Sequence, residues 1–293
     1  VHDTARRGTA VWLAALALAQ AAALIVVWRV AVHTELGQWL DTVALTGNRI
    51  GQDRIDGPVN HILNAMSLAA LLTATAVIGF IALIRGRVAL ALTATLLIVG
   101  ANLTTQALKY SLARPDFGID PQRIFAGNSL PSGHATVAAS FAVALVLVLP
   151  PTARVLGALL GTGYAAAVGV ATVSAGWHRP SDAIAAYLVV GVWAALGGLV
   201  LLITQRERAK VDPGDAHPLA AVLLGTGGLL AVVAGGLALA WLVDGPQIAP
   251  NELARRPLLA GYAGGAAEIA GTMAIVMALV LVSAYRLIPR NAG

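Results

Sequence analysis

Eight apolar stretches of roughly spanning length dominate this chain and leave few folds open to it. They run at about 9–32, 62–84, 88–108, 134–149, 155–174, 182–203, 219–243 and 259–285. Crossing the hydrocarbon core as a helix takes about 20 apolar residues. In lipid every backbone polar group must be satisfied internally, which selects helices or closed barrels. Runs this long and continuous predict an all-α, polytopic membrane helix bundle. Composition agrees, since 58% of the 293 residues are hydrophobic and only 11% are charged, with a mean hydropathy of +0.79. That is too apolar for a water-soluble domain. The formal charge of +5 comes from short basic clusters between runs, a pattern that encodes topology rather than a nucleic-acid partner. The absence of cysteine excludes disulfides, thiolate metal sites and a cysteine nucleophile.

Arg6-Arg7 before the first run, with small residues at 19–22, has the outline of a secretion signal. The run is longer than a signal core, so it is expected to stay as the first transmembrane helix. After it, Leu36, Trp39, Leu40 and Val43 recur at helical spacing opposite Glu35, Gln38 and Asp41. Such a helix either lies flat at the membrane interface or packs on the bundle. A loop is expected at 48–56, with Gly57-Pro58 as punctuation. Gly157 with Gly161, and Gly261 with Gly265, place small residues four apart, as close helix contacts in lipid favour. These pairs serve contacts within one chain or between chains, which leaves a homo-oligomer open.

Span parity divides the basic residues into two sets. One holds Arg6, Arg7, Arg85, Arg87, Arg154, Arg206, Arg208, Lys210, Arg286 and Arg290. The other holds Arg49, Arg54, Lys109, Arg114, Arg123, Arg179, Arg255 and Arg256. The first set lies closer to span ends and is expected to face the cytoplasm, with both termini.

Between Lys109 and Asp182 lie most of the polar residues capable of chemistry. The stretch contains Lys109 and Arg114-Pro115, then Pro131-Ser132-Gly133-His134, then His178-Arg179-Pro180-Ser181-Asp182. Parity puts all three segments on the outer face. Ser132 precedes an apolar helix as an N-cap, and the free N–H groups of Gly133 and its neighbours make an anion site. His178 and Asp182 are four apart, so the carboxylate can hold one ring nitrogen and leave the other free if helical geometry reaches back to His178. Pro180 disfavours helical dihedrals at Arg179.

These segments resemble the type-2 phosphatidic acid phosphatase family, which shares its site architecture with vanadium haloperoxidases. The family pattern is Lys, six residues, Arg-Pro; then Pro-Ser-Gly-His; then Ser-Arg, five residues, His, three residues, Asp. Pro131–His134 matches the second part in full, and His178 and Asp182 match the third. Two departures stand out. Only four residues separate Lys109 from Arg114, and Ala171-Thr172 replaces Ser-Arg. Arg114, Arg123 and Arg179 are the candidates to supply the missing charge.

The resemblance implies a metal-independent lipid phosphatase with no cofactor. In it, His178 held by Asp182 is the nucleophile and His134 the acid, then base. Lys109, Arg114, Ser132, Gly133, Thr172 and Arg179 would hold the phosphoryl oxygens, with Arg123 as a further headgroup contact. Apart from the resemblance, Arg255 and Arg256 lie in a loop on the same outer side and either contact the headgroup or serve only as topological decoration. It also implies a six-span core over residues 1–204, with active-site segments 109–134 and 172–182. Residues 205–293 then add a cytoplasmic linker and two further spans. The expected partners are a lipid phosphate, polyprenyl or glycerolipid, and membrane lipids at the cell membrane, with the site on the extracytoplasmic side. The rival readings are a lipid phosphotransferase with the same nucleophile and a lipid-binding or transport protein with a relic site. His33, His61 and His217 are expected as interfacial anchors. Glu268, inside the last span, is expected in an interhelical hydrogen bond or a protonated structural role.

Overall fold

A computed structural model describes residues 2–50, 87–119, 128–204 and 218–287, together with 57, 76–80 and 84. Most of the run at 62–84, His61, Arg123, and the 205–217 linker with His217 lie outside the described residues. The helices are α1 (His2–Val27, continued by a π-helical turn Trp28–Val32), α2 (Glu35–Thr46), α3 (Val88–Ser111) and α4 (Gly133–Val148). They continue as α5 (Pro151–Ser174), α6 (Pro180–Thr204), α7 (Pro218–Val243) and α8 (Arg255–Leu287). Among the described residues six helices are long and apolar enough to cross a membrane, and α4, at 16 residues, is a shorter apolar helix. This is the polytopic all-α bundle expected from the hydropathy.

α6 is the central helix, packed against α1, α3, α4 and α8 and buried along most of its length. Its neighbours approach closely because small residues face large ones, which is how helices associate where lipid removes the hydrophobic driving force. Gly100 of α3 lies under the Trp193 indole, whose Nε1 donates to Thr104 Oγ1 at 3.0 Å. Gly169 of α5 makes room for Tyr187, whose hydroxyl donates to the Ala165 carbonyl at 2.6 Å.

Both glycine pairs singled out in the sequence are spent inside the chain. Gly157 and Gly161 face α4 residues and the adjoining Leu149, whereas Gly261 faces Val43 and Gly265 faces Pro180. A second set, spaced by seven, joins α7 to α8: Gly228 meets Gly271, and Gly235 meets Gly264.

At one end of the bundle, arginines read as topology signals also close helix C-termini. The buried Arg154 donates to the Val146 and Leu149 carbonyls at 3.3 and 3.2 Å, and Arg6 donates to the Leu202 carbonyl at 2.5 Å. Cations belong at helix C-termini because the last carbonyls there lack partners. The other end gathers α2 with the C-termini of α3 and α5 and the N-termini of α4, α6 and α8.

α2 differs from one of its two expected placements. It is not a helix lying flat with a wet polar face, because Gln38 and Asp41 are buried and Leu36 is 39% exposed. Thr34 caps it, accepting from Gly37 N at 3.0 Å, and the helix packs on α8. Gln38 and Asp41 are buried because each finds a partner in the motif-bearing segments. The two C-terminal spans also differ from each other. Among the described helices, α7 packs chiefly on α8, whereas α8 joins the core through α2, α5 and α6.

Candidate active site

Pro131-Ser132-Gly133-His134 forms the start of α4. Asn128 shapes the approach, its amide oxygen accepting from Leu130 N at 3.2 Å and its amide nitrogen donating to Leu130 O at 2.7 Å. Ser132 is the N-cap, its hydroxyl accepting from Ala135 N at 3.4 Å. Its carbonyl accepts from the Thr136 hydroxyl at 2.9 Å, and that hydroxyl lies 2.9 Å from Thr105 Oγ1 of α3. A Cβ on Gly133 would come 3.8 Å from Gln106 Nε2. The end of α3, with Lys109 one turn further on, therefore stands beside the start of α4.

The third segment is a tight loop between α5 and α6. Gly176, at φ +73°, takes the left-handed conformation that a side chain resists. Behind it, Trp177 N and His178 N both donate to the Thr172 carbonyl, at 3.0 and 3.2 Å. His178 Nδ1 then sits 3.1 Å from Asp182 Oδ2, with His178 nearly and Asp182 fully buried.

α6 begins at Pro180, so helical geometry does not extend back to His178. The pair forms by another route. Asp182 is the third residue of the helix, and its Oδ2 also accepts from Arg179 N at 3.0 Å, the carboxylate half of a capping box. Proline is favoured at the first helical position, so Pro180 starts the helix instead of blocking the contact. With Nδ1 engaged, Nε2 is the ring nitrogen left for other chemistry.

One backbone hydrogen bond joins the two segments. Ser132 N donates to the Asp182 carbonyl at 2.9 Å. The half-buried His134 ring lies 5.3 Å from the Trp177 ring, next in sequence to His178, and it feels the charges of both His178 and Lys109.

Residues 87–209 match a family model described as the PAP2 superfamily. This segment, from the residue before α3 to just past α6, is a PAP2-superfamily domain. No curated protein and no solved structure gives a significant match. The PAP2 domain and the apolar helices together support a membrane protein of the phosphatase type.

Within this PAP2 domain the cations are arranged unlike a simple phosphate cradle. The Arg114 side chain is 2% exposed and lies 4.0 Å from Asp41. It acts electrostatically on Asp182, as does Arg179. Lys109 is half-buried in the last turn of α3. Thr172, expected as a phosphate contact, is buried beneath the His178 loop. Its hydroxyl donates to the Gly169 carbonyl at 2.7 Å, as helical threonines do, and it is the Thr172 carbonyl that shapes the His178 loop. Arg255 and Arg256 are exposed at the start of α8, with the Arg256 guanidinium 5.4 Å over the Trp241 ring. Glu268 faces α7, where a Cβ on Gly235 would lie 2.7 Å from its Cγ. His33 packs edge-on against Trp28, at 4.5 Å between ring centroids.

Sequence reasoning missed the residues of α2, of the 3-10 turn Gly47–Arg49 after it and of α8 that hold this site. Gln38 Nε2 donates to the Pro115 carbonyl at 2.8 Å and to the Val32 carbonyl at 2.7 Å. Asp41 accepts from Ser181 N at 3.1 Å and from the Ser181 hydroxyl. Asn48 donates to the Ser174 carbonyl at 3.1 Å, and the Tyr262 hydroxyl lies 2.7 Å from Ser174 Oγ. Burial, the largest influence, holds the Asp41 carboxyl above its ordinary value. Arg114 pulls it down, Asp182 adds to the rise, and the Ser181 hydrogen bond and Arg179 oppose it. The available signal was the spacing: 38 and 41 lie one turn apart on α2, but a polar stripe reads equally well as a wetted face.

Proposed function

We propose that this protein is an integral-membrane lipid phosphatase that works through a phosphohistidine at His178. The observation that carries the proposal is the 2.9 Å bond from Ser132 N to the Asp182 carbonyl. It holds the anion-binding start of α4 against the His178–Asp182 pair, so a phosphoryl group at the first can meet the ring of the second.

His178 Nε2 attacks phosphorus and a P–N bond forms as the P–O bond to the lipid breaks. His134 gives its proton to the departing oxygen. Water then attacks the phosphohistidine, His134 takes the water proton, and phosphate leaves with His178 restored. Asp182 keeps the His178 ring oriented and stabilises its positive charge, as a carboxylate does for a catalytic histidine.

Lys109, Arg114, Arg179, Ser132 and the α4 amides are the candidates to hold phosphoryl oxygens, through charge and through the helix N-terminus. In this proposal the site faces the extracytoplasmic side of the cell membrane. Its substrate is a phosphomonoester or diphosphate of a polyprenyl or glycerolipid, whose tail stays in the bilayer.

The test is phosphate release from a panel of defined lipid phosphates by purified protein in detergent, beside His178→Ala. Release that depends on His178 and persists in a chelator is the expected result. Equal release by the variant would overturn the assignment.

A further inference from the structure

We infer that Asp41 of α2, outside the family-matched segment, is a positioning residue that locks Arg114 to the helix bearing the nucleophile's partner. The inference rests on the phosphatase reading above. Asp41 is 7% exposed, and a buried carboxylate is stable only where charge and hydrogen bonds compensate its lost hydration. Its partners come from two different site segments. One oxygen accepts from Ser181 N at 3.1 Å; the other accepts from the Ser181 hydroxyl and lies 4.0 Å from Arg114 Nη2.

Two N–H groups at the start of α6 are thereby occupied, Arg179 N by Asp182 and Ser181 N by Asp41. Orphan N–H groups at a helix N-terminus normally attract anions. Here the chain's own carboxylates fill that role on α6, which leaves the start of α4 to receive the phosphoryl group.

Gln38, one turn before Asp41, holds the Pro115 carbonyl at 2.8 Å. α2 therefore grips the Arg114-Pro115 pair twice, once by charge and once by a backbone carbonyl. The spacing from Lys109 to Arg114 departs from the family pattern, and an acid on α2 standing beside the displaced arginine gives the departure a physical role. Asp41 fixes where this cation sits relative to His178 and Asp182.

A double-mutant cycle tests this, with Asp41→Ala, Arg114→Ala and the double variant compared by kcat and KM for a lipid phosphate and by Kd for inorganic phosphate. Asp41→Ala is expected to lower kcat/KM by roughly tenfold or more in the native background. In the Arg114→Ala background the drop should shrink to about threefold or less, because residues in one network couple. Asp41→Asn keeps an oxygen for Ser181 and should restore part of the loss; should the alanine variant not fold, the cycle is run with Asn.

Equal losses in both backgrounds, or no loss at all, would overturn the inference. If the native protein releases no phosphate, the phosphatase reading fails by itself. The Kd cycle still decides on Asp41: coupling to Arg114 in phosphate binding supports its positioning role, and additivity removes it.

Discussion

α7 and α8 are alike as sequences and unlike as parts of the molecule. Both are long, apolar and rich in glycine, yet 11% of the most apolar stretch of α7 is buried, against 50% for α8. α7 hangs on α8 through glycine contacts, while α8 runs behind the site. Gly261 lies against Val43 and Ala44, Gly265 against Pro180, and Tyr262 reaches Ser174. Hydropathy cannot separate the two, because a lipid-facing surface and a protein-facing surface in a membrane are equally apolar. What separates them is where the glycines point.

The largest effect expected from this contrast is at Gly265. A Cβ there would lie 2.5 Å from Pro180 Cγ, at the first residue of the helix that carries Asp182. Gly265→Leu should cut phosphate release by about 100-fold or prevent folding, as overpacking a tight contact costs roughly 1–3 kcal/mol and displaces what it touches. Gly227→Leu in α7, where a Cβ meets nothing within 4 Å, should leave release within about twofold of native. Equal effects at the two positions would erase the distinction.

A smaller effect is expected where the two helices meet. A Cβ on Gly235 would lie 2.6 Å from the Gly264 carbonyl, so Gly235→Leu should push α7 away. The expected outcome is lower thermal stability in detergent, by about 1–3 kcal/mol, with kcat of the folded fraction unchanged. A fall in kcat equal to that of Gly265→Leu would place α7 in the site as well.

The smallest effect belongs to Tyr262→Phe, which removes the hydroxyl 2.7 Å from Ser174 and leaves the ring. A loss of about 1 kcal/mol in stability is expected, with at most a few-fold change in kcat. Thermal melts and initial rates on the same preparation measure both.

How much of this was legible depended on what kind of pattern each part leaves. The spans that fall on described residues were, because an apolar run needs only length to be recognised. α3, α5, α6, α7 and α8 fall within about four residues of their expected ends, and α1 starts earlier, at His2. Ser132 as N-cap was legible because capping is local. The His178–Asp182 contact was foreseen, but through the wrong geometry, since a capping-box carboxylate can reach a residue outside the helix. Asp41, Gln38 and Asn48 were not foreseen, because nothing local marks a polar side chain whose partner lies far off in sequence. Ser181 is 140 residues from Asp41, and only the packed bundle brings them together. The part the Thr172 carbonyl plays in the His178 loop was not legible, because a backbone acceptor leaves no mark in the sequence.

The most direct test of the central claim is to trap the covalent intermediate. Purified protein mixed with a lipid phosphate labelled at phosphorus, quenched in base within the first turnover and digested, should carry an acid-labile phosphoryl group on the peptide containing His178. That label should be absent from His178→Ala. Rapid turnover with no label on that peptide, or label that survives the substitution, would contradict a mechanism built on His178.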